Sequence, residues 1–173
     1  MFLKEVKIPE DVKVSINGEI KVVGPNGEIR KRFELVEVKI EKDENKIKIF
    51  SESENRKIKA KVGTIAAHIR NMINGVKKGY TYKLKVVYSH FPISVKVEGD
   101  KVLILNFLGE KIPRIAKIVG NTKVKIEKDE IIVSGIDIDE VSQTASNIEL
   151  ACRIKRKDRK IFQDGIWITG RER

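Results

Sequence analysis

The sequence predicts an α+β protein built from two tandem copies of one small domain, each an antiparallel β-sheet packed against one α-helix. Three observations carry this. Val38-Lys39-Ile40-Glu41-Lys42-Asp43-Glu44 returns unchanged as Val124-Lys125-Ile126-Glu127-Lys128-Asp129-Glu130, a domain length downstream and not a solenoid period. Val14-Ser15-Ile16-Asn17-Gly18 maps onto Val95-Lys96-Val97-Glu98-Gly99, and Ala66-Ala67-His68-Ile69 onto Ala145-Ser146-Asn147-Ile148. In each half, two-residue hydrophobic alternation gives way to a stripe with helical spacing. The identity predicts equivalent strand registers, with residues 38–44 overlying 124–130, because a one-residue slip would turn Val124 and Ile126 outward.

In the first copy, Val12, Val14 and Ile16 alternate before the Asn17-Gly18 turn and Ile20 and Val22 follow it, which reads as a hairpin. Gly24-Pro25-Asn26-Gly27 is a second turn. Val36, Val38 and Ile40, then Ile47 and Ile49, read as another hairpin across a charged tip. Ile58, Val62, Ile65, Ile69, Met72 and Val76 share one face of an amphipathic helix over about 57–74, with Gly75 as its C-cap. Tyr80, Tyr82, Leu84, Val86 and Tyr88 alternate as a strand leading to a boundary at Ser89-His90-Phe91-Pro92, where proline cannot donate to a ladder. The copies therefore divide as 1–89 and 90–173.

The second copy begins with Ile93, Val95 and Val97, turns at Gly99, and continues in the apolar run 102–108 as a covered strand. Val124 and Ile126 with Ile131 and Val133 repeat the charged-tip hairpin. Asp137 can cap a helix with Val141, Ala145, Ile148 and Cys152 inward, Glu140 at the third position completing a capping-box pattern and the end falling near 153.

Composition narrows the function classes. The 173 residues carry a formal charge of +11, from 36 Lys and Arg against 25 Asp and Glu, with 40% hydrophobic residues. Such a chain folds, and its surface attracts polyanions. Charge alone leaves RNA, DNA and an anionic membrane open. No run approaches the roughly 18 apolar residues of a spanning helix, and no signal-peptide core opens the chain, so a cytoplasmic protein without a membrane partner is expected. Cys152 is the sole cysteine, which excludes an internal disulfide and every Cys-rich zinc pattern.

Catalytic and cofactor chemistry finds no footing. Gly24-Pro25-Asn26-Gly27 lacks the Gly-Lys-Ser or Gly-Lys-Thr of a phosphate loop. His68 and His90 share no motif, the carboxylates are interleaved with lysines in hairpin tips, and Cys152 lies on an apolar helix face. An enzyme, a cofactor and a small-molecule substrate are therefore not expected.

Two features suggest binding. Residues 153–160 hold six cations, Arg153, Lys155, Arg156, Lys157, Arg159 and Lys160, against Asp158 alone. Like charges this dense repel until a counter-charge arrives, and nothing comparable closes the first copy. The chain end joins Phe162, Ile166, Trp167 and Ile168 to Arg171 and Arg173. Its apolar part is expected to dock on the second domain's sheet and free the arginines, with direct stacking of Trp167 on a base as the alternative.

The residues also carry a family resemblance. Gly24-Pro25-Asn26-Gly27-Glu28, Asn71-Met72-Ile73-Asn74-Gly75-Val76-Lys77-Lys78-Gly79, Tyr88-Ser89-His90-Phe91-Pro92-Ile93, Val133-Ser134-Gly135-Ile136-Asp137 with Val141-Ser142-Gln143, and Asp158-Arg159-Lys160-Ile161-Phe162-Gln163-Asp164-Gly165-Ile166 follow in order over nearly the whole chain. The chain resembles the family of the sixth protein of the large ribosomal subunit, in its archaeal and eukaryotic version. The resemblance implies a structural, non-catalytic ribosomal protein whose second domain binds large-subunit ribosomal RNA near the sarcin-ricin loop. It implies a place close to the stalk base, among neighbouring ribosomal proteins and where translation factors dock. It marks Ser142 and Gln143 as the helix-start turn that approaches RNA backbone, with serine in place of the family's glycine, and residues 153–160 with Asp164-Gly165 as the C-terminal RNA-contacting segment. A cytoplasmic adaptor binding proteins through its charged hairpins, with incidental RNA affinity, is the competing reading, and an RNA-modifying enzyme a remote third.

Overall fold

The computed structural model describes residues 1–172, which divide into two compact units, residues 1–79 and residues 80–172. The first holds β1 (Phe2–Lys7), β2 (Lys13–Ile16), β3 (Ile20–Gly24), β4 (Gly27–Lys31), β5 (Lys39–Asp43), β6 (Lys46–Ser51) and α1 (Arg56–Lys77). Its strands form two antiparallel sheets, β1-β6-β5 and β2-β3-β4, and α1 packs on both through β1, β6 and β3. Alternation puts Ile47 and Ile49 of β6 and Val22 of β3 wholly inside. The stripe Val62, Ile65, Ile69, Met72 and Val76 covers them from the helix.

The second unit repeats this order with β7 (Tyr80–Val87), β8 (Ser94–Glu98), β9 (Lys101–Leu105), a 3-10 turn at Phe107–Gly109, β10 (Arg114–Lys117), β11 (Lys123–Glu127), β12 (Glu130–Gly135) and α2 (Ile138–Ala151). It then adds β13 (Gly165–Glu172). Its sheets are β8-β9-β10 and β11-β12-β7-β13, so the predicted docking of the tail on the second sheet is what the strand pairing shows. Its core is a single cluster in which Val141, Ala145 and Ile148 of α2 meet Leu84, Val102, Ile104, Ile131 and Val133.

Four expectations are corrected. The strand at residues 80–87 belongs to the second unit, where it pairs with β12 and β13, so the division falls between Gly79 and Tyr80 and not at 89/90. Backbone pairing outweighs the local signal of Pro92: β7 stands in the second unit where β1 stands in the first. Second, α1 runs past Gly75, which is buried inside it, to a cap at Lys78, with Gly79 taking the left-handed φ of 78°. Third, the apolar run 102–108 is not one strand. β9 stops at Leu105, and left-handed Asn106 and Leu108 bend the chain into the 3-10 turn.

The fourth concerns the repeated heptapeptide. Its copies lie in equivalent hairpins but two residues out of step. Asp43 pairs with Lys46 across the first tip and Glu127 with Glu130 across the second, so Asp43 matches Glu127 and Ile40 matches Val124. The turns leading in agree, since Val38 N–H donates to the Leu35 carbonyl and Thr122 N–H to the Val119 carbonyl, both at 3.4 Å. A two-residue offset keeps every side chain on its face, which is why the pattern tolerates it. The other two matches hold: Ala66 and Ile69 are buried in α1 as Ala145 and Ile148 are in α2, and Gly18 and Gly99 both turn at positive φ.

Candidate nucleic-acid interface

The basic segment starts where α2 ends, and α2 is held at both ends. Asp137 caps its start, accepting from the Asp139 N–H at 3.0 Å. Glu140 turns its carboxylate to the β10–β11 connection, where it accepts from the Asn121 N–H at 3.2 Å. At the far end the unpaired carbonyls of a helix terminus need donors. Arg114, on β10, is one such donor, giving Nη1–H to the carbonyl of Ala151 in the last turn at 3.0 Å and to that of Arg153, just past the cap, at 2.7 Å. The same guanidinium forks onto Glu110 at 2.8 and 2.6 Å and lies 4.4 Å over the Phe107 ring. Hydrogen bonding from Arg114 holds the Glu110 carboxyl below its ordinary value against a smaller opposing effect of desolvation, and nearby Lys155 adds to the lowering.

Beyond the C-cap at Cys152, whose thiol is buried and pushed up to about 12 chiefly by desolvation, residues 153–160 form an exposed loop. Arg156 adopts a left-handed φ of 60°, unusual for a side chain of its size. Asp158 folds the loop back: its carboxylate accepts from the Lys160 N–H at 2.9 Å and its carbonyl from the N–H groups of Ile161 and Phe162. The one acidic residue of the run is thus spent on the backbone turn. Arg153, Lys155, Arg156, Lys157, Arg159 and Lys160 are all exposed, and none forms an ion pair with a described residue. Lys157 lies against an aromatic ring, its Nζ 4.7 Å from the centroid of Phe162.

The other predicted residues lie elsewhere. Ser142 and Gln143 occupy the first turns of α2, about 15 Å along the helix from the basic loop. They are engaged locally, Ser142 Oγ donating to the Asp139 carbonyl at 3.3 Å and Gln143 Nε2 to Asn147 Oδ1 at 2.9 Å. Arg171 lies near the end of β13, about 20 Å from the strand's start, with its guanidinium over the Tyr82 ring at 5.7 Å. Arg173 lies outside the described residues. Asp164 and Gly165 are both buried at the entry to β13. Of the nine predicted residues that are described, the structure therefore gathers six in one loop and disperses Ser142, Gln143 and Arg171.

Sequence reasoning missed Arg114 and Glu110, which fix the root of the loop. Their spacing of four reads as a helical pair, and this segment is turn and strand. Among the described residues no three His, Cys, Asp or Glu side chains gather as a metal site, and no helix is long and apolar enough to cross a membrane.

The family model for ribosomal protein L6 matches residues 8–79 and 91–165. The chain belongs to this family. It is 52% identical over 170 residues to large ribosomal subunit protein uL6 of Archaeoglobus fulgidus, covering 95% of this chain and 87% of that one. With uL6 of Staphylothermus marinus it shares 54% identity, covering 95% and 92%, and with that of Aeropyrum pernix 51%, covering 98% and 94%. Membership makes the chain a structural ribosomal protein, not an enzyme.

Proposed function

We propose that this protein is a structural component of the large ribosomal subunit that grips ribosomal RNA through phosphate contacts from the loop at residues 153–160. The observation that carries this reading is the set of six exposed cations on eight residues, unpaired within the described fold and rooted by Arg114 at the end of α2. Unpaired cations on a braced loop neutralise phosphates and release counterions, which supplies affinity without reading sequence. Neighbouring residues on a short loop cannot all face one backbone, so three to five of the six reach phosphates. Ser142, Gln143 and Arg171 make separate, weaker contacts.

The finer placement is near the sarcin-ricin loop at the stalk base, beside neighbouring ribosomal proteins and close to where translation factors dock, in ribosomes of the cytoplasm. The family resemblance supports it. Sedimentation of tagged protein from a lysate in high magnesium tests the function, since a ribosomal protein travels with large subunits and shifts on ribonuclease treatment. A light position unaffected by ribonuclease would overturn it.

A further inference from the structure

An open groove of about 640 Å³ runs beside the basic loop, between the last turn of α2 and β13. Its wall is apolar, with Leu150, Ile154, Phe162 and Trp167, and Arg153 and Arg159 also line it. Two of these side chains are unusually exposed for their type, Leu150 at 59% and Trp167 at 47%. Such a surface costs free energy in water and marks a site for a partner.

Trp167 is held flat by its own strand. A Cβ added to Gly165 would come within 3.2 Å of three indole atoms, so the ring lies on a backbone that only glycine leaves bare. Phe162 is already covered by Lys157 at 4.7 Å and approached by His90 at 5.7 Å. The indole is thus the aromatic surface of the groove with area to offer. Glu149, also in the lining, is turned to the backbone, accepting from the Ile168 N–H at 3.2 Å. Its charge would repel a phosphate placed inside. The groove itself therefore suits something flat and uncharged, while the guanidinium groups suit the anions attached to it.

We infer that this groove takes an unpaired nucleobase of the ribosomal RNA, stacked on Trp167, with its flanking phosphates held by Arg153 and Arg159. The inference rests on the proposed RNA-binding function and adds a base-stacking pocket to the phosphate grip. Aromatic faces and guanidinium planes are the usual receivers of unstacked RNA bases, and stacking is tolerant of base identity. Charge complementarity chooses this occupant, since an apolar protein segment would have no use for the cations beside the groove.

Trp167 is the only tryptophan in the chain, so its emission reports on the groove alone. Titrating the full-length protein with a transcript of its large-subunit ribosomal RNA should quench that emission as binding saturates. Trp167→Ala should weaken binding about 5- to 150-fold, the loss expected for one stacked base. The salt slope should not change, because a stacked base releases no counterion, and Trp167→Phe should recover most of the affinity. Saturable binding with unchanged emission and wild-type affinity in Trp167→Ala would overturn the pocket and leave the phosphate grip intact. Failure of the wild-type protein to bind the transcript would instead sink the function on which the pocket rests. Normal RNA affinity in Trp167→Ala with failure to join large subunits would give the groove to a protein neighbour, and that too would overturn the inference.

Discussion

In the first unit the C-terminus of α1 is closed by an amide, and at the corresponding point of the second unit the C-terminus of α2 is closed by a guanidinium. The turn between β3 and β4 delivers Asn26, whose backbone N–H donates to the Val76 carbonyl at 2.9 Å and whose Nδ2 donates to the Lys77 carbonyl at 3.2 Å. The longer connection between β9 and β10 delivers Glu110, which accepts from the Arg114 guanidinium, and Arg114 in turn donates to the carbonyls of Ala151 and Arg153. The first helix passes directly to the next unit. The second leads into six cations, and the stronger, charged clamp is the one that braces them.

Net charge does not distinguish the units. Residues 1–79 carry 18 Lys and Arg against 12 Asp and Glu, or +6, and residues 80–173 carry 18 against 13, or +5. Arrangement does. In the first unit Lys21, Arg30, Lys39, Lys46, Lys48, Lys61 and Lys77 each face a carboxylate. These exposed pairs add little stability, but they neutralise the surface locally. In the second unit a third of the cations are crowded into one loop, where none pairs with a carboxylate among the described residues. Unpaired density, and not total charge, marks an interface for a polyanion.

The comparison can be broken at each clamp. The largest stability effect is expected for Arg114→Ala, which orphans two carbonyls and strips Glu110 of its partner. It should cost ~2–3 kcal/mol, read by chemical denaturation, and weaken RNA binding through a loosened loop. Gly24→Ala should come next. An added Cβ would lie 2.7 Å from the Val76 side chain, so a cost of ~1–3 kcal/mol is expected with no change in RNA affinity.

A smaller effect concerns acid. The folded Glu110 carboxyl lies below its ordinary value of 4.5, so its contribution is complete above that value and is lost as pH falls through the lowered one. Glu110→Gln should therefore be less stable than wild type at pH 7 and converge with it in strong acid. A constant difference across that range would show that Arg114 does not depend on this partner. The smallest is Ser142→Gly, which should cost ~0.5 kcal/mol of helix stability and leave the salt dependence of RNA binding unchanged.

The duplication, both helices, the hairpins and the docked tail were legible because each is written in local periodicity. The domain boundary was not, since β7 looks the same whether it closes one unit or opens the next, and only its pairing with β12 and β13 decides. The heptapeptide misled by two residues because a hairpin tip fixes alternation and charge but not loop position. Within the candidate site, the six cations could be read directly from their density. Arg114 could not, because its partners at residues 151 and 153 are distant in sequence and are backbone carbonyls, which leave no mark on composition. The groove around Trp167 was equally hidden, being assembled from α2, the loop and β13.

The most direct test of the central claim sets matched triple variants of the two units side by side. Arg156→Gln, Lys157→Gln and Arg159→Gln together should lower RNA affinity strongly at moderate salt and reduce the log-log salt slope by roughly 0.7–0.9 for every phosphate no longer neutralised, with Tm nearly unchanged. Lys57→Gln, Lys59→Gln and Lys61→Gln together remove the same charge from α1 and should leave both affinity and slope near wild type. Equal weakening in the two triples would mean that RNA responds to net charge alone, and would contradict the account.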